Sequence, residues 1–138
     1  MKIEPHPWHE IGEVGLGPDG KLLMPEPGHG PGIYRFRLTS GESPSVYIGE
    51  SEDMGRRFRQ YRNPEPSQRT NIRISKWMHR QVDAGRTLYV AVVTEAVLRV
   101  GDSQEPLDLE RRTSRLLVEE HLLGEAREAG AAAVENVN

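Results

Sequence analysis

Between Gly32 and Ser40 the chain alternates, with Tyr34, Phe36 and Leu38 on one side and Ile33, Arg35 and Arg37 on the other. Period two over such a length predicts a strand with one buried face. Ser40 to Pro44 has the composition of a turn, so Ser45–Gly49 should return as its hairpin partner. Gly49 closes that strand, where a missing side chain leaves room for another group. A basic helix follows over Met54–Tyr61, capped by Ser51 or Asp53. After a loop carrying Pro64 and Pro66, Thr70 or Asn71 should cap a second helix from Ile72 to about Val82. Its Ile74, Trp77 and Met78 face a core, and Ala84-Gly85 stops it. Thr87–Thr94 is a continuous β-rich run suited to a central strand, and Val97–Val100 either extends it or forms a short edge strand. Pro106 fits a first helical position, from which a long helix should run to Ala129 and stop at Gly130.

The order β-β-α-α-β-(β)-α predicts an α/β domain over residues 32–138, a small central mixed or antiparallel sheet flanked by helices. Residues 1–31 are rich in proline and glycine, with a turn at Gly17-Pro18-Asp19-Gly20. They are expected to form an irregular arm or small hairpin packed on that domain and held by Trp8.

One residue violates the pattern. On the long helix Leu109, Leu116, Val118, Leu122, Leu123 and Ala126 form an apolar arc, and Glu119 projects into its middle. A carboxylate there is costly unless paired or bound to a cation. Two accounts stand at this point: an ion pair with Arg115 one turn earlier, or a bound metal.

Composition narrows the class. A chain of 138 residues suits one domain, and with no cysteine it holds together by packing alone, as in a reducing cytoplasm. No run of about 18 apolar residues suggests a membrane span. His6, His9 and His29 lack a ligand spacing and read as surface histidines. The formal net charge is −3, yet Met54 to Arg86 carries nine basic and two acidic residues, a local +7 that leaves −10 for the remainder. A basic stretch on an acidic protein marks either a polyanion footprint or a solvated helix face.

Gly32-Ile33-Tyr34 and Tyr47-Ile48-Gly49 on paired strands, Arg57 ten residues after the second tyrosine, and Val118-Glu119 followed by Leu122-Leu123 together resemble the GIY-YIG nuclease family. The resemblance spans roughly Gly32 to Asn136. Its family includes homing endonucleases, some restriction enzymes and the incision domain of bacterial excision repair. Glu50-Ser51 and the Gln68 to Asn71 segment look closer to restriction-enzyme-type or uncharacterised members. The resemblance implies a DNA endonuclease whose catalytic set is Tyr34, Tyr47, Arg57, Tyr61, Glu119 and Asn136, with Asn138 the alternative to Asn136. It also implies Mg²⁺ or Mn²⁺ on Glu119.

These residue types suit the chemistry. Phosphodiester hydrolysis needs an activated water and a neutralised phosphate; a carboxylate can hold a hard cation, and arginine can fork onto phosphate oxygens. Tyr34 or Tyr61 would relay the proton if its pKa fell well below about 10, while Tyr47 would orient water or phosphate. Arg56, Arg59, Arg62, Arg69, Arg73, Lys76 and Arg80 are expected to track phosphates. Cutting both strands would call for a homodimer or two events. The competing expectation is a catalytically inactive nucleic-acid-binding module, and a third is an ordinary interaction domain in which Tyr34 and Tyr47 form a cross-strand aromatic pair.

Overall fold

The computed structural model describes residues 1–39 and 44–134. In chain order its elements are β1 (Lys2–Pro5), β2 (His9–Glu13), β3 (Gly15–Leu16), β4 (Leu22–Leu23), β5 (Gly32–Leu38) and β6 (Ser45–Ser51). Then come α1 (Met54–Arg62), α2 (Arg69–Asp83), β7 (Leu88–Val93), β8 (Ala96–Val100), β9 (Ser103–Pro106), α3 (Arg112–Glu128) and β10 (Ala132–Ala133). Five strands form the main sheet in the order β10-β6-β5-β7-β2, antiparallel throughout except for the parallel β10–β6 pair.

Alternation along β5 sends Tyr34, Phe36 and Leu38 into a core shared with α1 and α2, where Phe58, Tyr61, Ile74 and Met78 join them. The opposite face is covered too. Ile33 is sealed there with Val46, Ile48, Val118 and Leu122 under α3, so β5 is buried on both sides rather than on one. Arg35 tolerates this position by stacking on Trp8 at 4.7 Å and pairing with Glu10 at 2.6 Å. The result is a three-layer α/β/α domain with α1 and α2 above the sheet and α3 below.

The first 31 residues contribute strands on both sides of this frame. β2 adds to β7 at the edge of the main sheet, and β1 pairs with β8 in a separate sheet of order β1-β8-β9. β3 and β4 make a hairpin around the Gly17–Gly20 turn, clamped to α1 by Asp19–Arg62 at 2.8 Å and Lys21–Asn63 at 2.6 Å.

Three local expectations change. β8 neither extends β7 nor lies at an edge, because β1 and β9 occupy both its sides. α2 begins at Arg69, so Asn71 is a buried residue inside it; Gln68 ends the loop, accepting the Glu65 N–H at 3.1 Å instead of capping the helix. α3 begins at Arg112, not Pro106, because Pro106 closes β9 opposite Val97 and the Asp108 carboxylate then turns the chain by accepting the Glu110 N–H. The cap of α1 is Asp53, which accepts the Arg56 N–H at 3.1 Å while Ser51 braces Asp53.

The register of β5 on β6 sets Tyr34 opposite Gly49 and Phe36 opposite Tyr47. Tyr34 and Tyr47 are therefore diagonal neighbours, 6.3 Å between rings, rather than a direct cross-strand pair. A Cβ on Gly49 would lie 2.5 Å from the Tyr34 hydroxyl oxygen and 2.6 Å from Cζ. Gly32 is as tight, with a Cβ there meeting the Met54 methyl at 2.6 Å and the Val93 carbonyl at 2.8 Å. Gly49→Ala is thus expected to cost about 1–3 kcal/mol, the usual penalty for overpacking. A urea midpoint equal to that of the wild type would show that the ring can yield.

Candidate active site

The outer edge of β6 is paired with β10 only at Ser45 and Val46. Beyond that point a cleft of about 540 Å³ opens, lined by Tyr47, Gly49 and Glu50 of β6, by Arg57 and Gln60 of α1, by Arg69 to Asn71 of α2, and by Arg112, Leu116 and Glu119 of α3. Because α1 and α2 lie on one face of the sheet and α3 on the other, the cleft wraps the free edge of β6. Strand pleating explains the division of labour: Tyr47 and Gly49 face α1 and α2, whereas Glu50 faces α3.

Of the residues implied by the resemblance, the structure brings Tyr47, Arg57 and Glu119 to the cleft. Tyr34 and Tyr61 lie behind its wall, both fully buried, with their hydroxyls 2.6 Å apart. Tyr47 also bonds to Tyr61, which makes a chain of three phenols. Arg57 donates to the Tyr34 hydroxyl and to the Glu50 carbonyl, both at 3.4 Å. Asn136 and Asn138 fall outside the described residues.

Burial raises the pKa of all three tyrosines above the ordinary phenol value, and Arg57 offsets this only in part for Tyr34 and Tyr47. The lowered phenol that proton relay needs is thus opposite to what this arrangement gives. Among the described tyrosines, Tyr47 alone lines the cleft.

Glu119 answers the question left open by the helical pattern. Arg115 does not pair with it. Arg115 is buried, donating from Nε to Glu50 at 2.6 Å and from a terminal nitrogen to the Leu109 and Glu110 carbonyls at 3.0 Å. The arc is also rotated from the expected one: Arg115, Val118 and Leu122 face the core, while Leu116 is 39% exposed and shares the cleft side with Arg112 and Glu119. Spacing of i, i+4 and i+7 places these three on one face, a signal legible once the helix is started at Arg112.

Among the described residues the Glu119 carboxylate makes no hydrogen bond or ion pair, although it is half-buried. Its pKa is pushed up to about 7, first by burial and then by the carboxylates of Glu50 and Glu120, with Arg57 and Arg112 pulling the other way. A half-buried carboxylate with no partner among the described residues is a candidate single ligand for a hard cation. No cluster of three or more His, Cys, Asp or Glu suited to a metal occurs among the described residues, so such an ion would keep most of its waters, as Mg²⁺ does.

The basic residues divide into three groups. Arg69, Arg73, Lys76 and Arg80 are exposed and lie at i, i+4, i+7 and i+11 along α2, lining a hollow of about 480 Å³; Arg69 borders the cleft as well. Arg56 stands at the cleft rim, paired with Glu52 at 2.9 Å. Arg59 and Arg62 line a different hollow beside the hairpin, and Arg62 is engaged by Asp19 and the Leu22 carbonyl. Arg62 thus clamps the hairpin to α1. Sequence reasoning missed Arg112, Gln60 and the role of Glu50 as the partner of Arg115.

No protein-family model and no curated protein matches the chain. Among solved structures it is similar to a glutamate-to-alanine mutant of bacteriophage T4 EndoII. The TM-score is 0.57 at 13% identity, covering 84% of this chain and 88% of that one. That likeness is one of fold. Also, no described helix is long and apolar enough to cross a membrane.

Glu119 generates a stability prediction. Its folded pKa lies above the ordinary carboxyl value of 4.5, so between about pH 4.5 and 7 the folded state holds more protons than the unfolded one and stability falls as pH rises. Glu119→Gln is expected to stabilise the protein at pH 8 by about 1–2 kcal/mol, discounted for partial exposure, with the gain vanishing near pH 4. Denaturation curves at the two pH values check this, and a pH-independent difference would contradict it.

Proposed function

We propose that this chain is a divalent-metal-dependent endonuclease of the GIY-YIG type, hydrolysing DNA phosphodiester bonds at a single-cation site in the cleft. The observation that carries the reading is the meeting of Arg57 from one layer and of Glu119, unpaired among the described residues, from the other around the free edge of β6. Its fold, shared with bacteriophage T4 EndoII, is the second support.

A phosphate in the cleft would accept hydrogen bonds from Arg57, whose guanidinium is held in place by Tyr34 and the Glu50 carbonyl. Glu119 would hold Mg²⁺ or Mn²⁺, which when bound supplies charge neutralisation at the phosphate and its leaving oxygen. Tyr47, alone among the described tyrosines in lining the cleft, would orient the attacking water. Tyr34 and Tyr61 act from behind it, Tyr34 on Arg57 and Tyr61 on the Tyr47 hydroxyl. The DNA backbone would continue along α2, where Arg69 to Arg80 span about 16 Å at 1.5 Å per residue. One cleft cuts one strand, so double-strand scission takes two copies or two events. The cysteine-free composition fits work in a reducing cytoplasm.

A second reading, a binding module without cleavage, draws on the sealed hydroxyls of Tyr34 and Tyr61 and their raised pKa values. Nicking of supercoiled plasmid separates the two. The nuclease reading expects relaxation in Mg²⁺ or Mn²⁺ that is lost by at least about a hundredfold in Glu119→Ala, on the scale of removing one transition-state contact. Binding without metal-dependent nicking by the wild type would favour the module. Under either reading Arg73→Ala and Lys76→Ala should each lower the slope of log K against log salt by about one; unchanged slopes would remove α2 from the interface.

A further inference from the structure

Glu119 and Arg115 stand one helical turn apart, the spacing at which a carboxylate and a guanidinium ordinarily pair. Here they do not, and the reason is Glu50. Its carboxylate takes the Arg115 Nε at 2.6 Å, and the Leu109 and Glu110 carbonyls take a terminal nitrogen of the same guanidinium at 3.0 Å. The pair is nearly dry, with side chains 6% and 16% exposed for Arg115 and Glu50. Glu50 also borders the cleft and raises the pKa of Glu119 through its charge.

A buried ion pair is a weak source of stability, because desolvation of both charges offsets most of the attraction. Apolar side chains could fill the space between β6 and α3 at no greater cost. What the pair does achieve is to hold Arg115, the buried cation of α3, off Glu119, the carboxylate that α3 presents to the cleft. We propose that Glu50 is a positioning residue that keeps Glu119 available to a divalent cation by holding Arg115 away from it.

This rests on the reading of Glu119 as the cation ligand. The arithmetic favours a real effect: with the Glu50 charge gone, Arg115 can turn to Glu119, and an incoming cation must first break that contact. A partly buried pair worth roughly 1.4 kcal/mol corresponds to about tenfold in affinity.

The test is a double-mutant cycle read by Mn²⁺ binding in calorimetry and by thermal melting, with no turnover involved. Glu50→Gln is expected to weaken Mn²⁺ binding about tenfold, and Glu50→Gln combined with Arg115→Gln to restore it to within about threefold of the wild type. A double variant as weak as Glu50→Gln would overturn the proposal, since Glu50 would then act as a ligand or as plain negative charge. Because loss of a buried partner can unfold a domain, the wild type provides an independent reading through side-chain NMR during Mg²⁺ titration. The Glu119 carboxyl carbon should shift while the Arg115 Nε–H stays in place; an Arg115 signal that moves in step with Glu119 would overturn the proposal as well. Absence of any Mn²⁺ binding by the wild type, or of any Glu119 shift, would instead refute the cation site itself.

Discussion

Tyr34 lies against Gly49, and nothing larger than hydrogen fits between the phenol and that backbone. This contact depends on a single register of β5 on β6. A slip of one residue would carry every side chain of β6 to the opposite face, turning Ile48 toward the aromatic core and the Tyr47 phenol toward α3. The register thus settles two matters together. It seals the aromatic cluster of Tyr34, Phe36, Phe58 and Tyr61, with ring centroids 5.4–6.5 Å apart, and it sends Tyr47 to one side of the sheet and Glu50 to the other.

From that alternation follows the form of the cleft. A site confined to one face could draw on α1 and α2 or on α3, but not on both. Wrapping the edge of β6 lets a guanidinium anchored in the upper layer oppose a carboxylate projecting from the lower one. The chain bears a cost for this. Glu119 is half-buried, unpaired among the described residues and flanked by like charge, an arrangement that stability alone would remove. Departures of this kind from local consistency concentrate where a protein binds or reacts.

Much of this was legible from the chain because it is local. Period-two alternation identifies β5, a continuous β-rich run identifies β7, and Glu119 stands out against its apolar neighbours. What stayed hidden depends on distant partners. Arg115 meets Glu50 across 65 positions and Arg62 meets Asp19 across 43, and no spacing rule reaches that far. The start of α3 was misjudged for a related reason: a proline that suits a helix start also suits a strand end, and only the pairing with Val97 decides. Once the helix is begun too early its arc is drawn through Leu116, which in fact faces the cleft. The three phenols illustrate a different limit, since sequence can place hydroxyls near an arginine but cannot say how much water they lose.

The charge distribution resolves in the same local terms. A net charge of −3 describes the field far from the molecule, where salt has already erased most of it, the screening length being about 8 Å at physiological ionic strength. A polyanion in contact with α2 meets Arg69, Arg73, Lys76 and Arg80 at distances inside that length. Sequence-wide charge therefore bears on solubility, whereas binding of a polyanion would depend on which cations share one face. The row on α2 shares its face with the cleft through Arg69, and the acidic remainder of the chain does not cancel it.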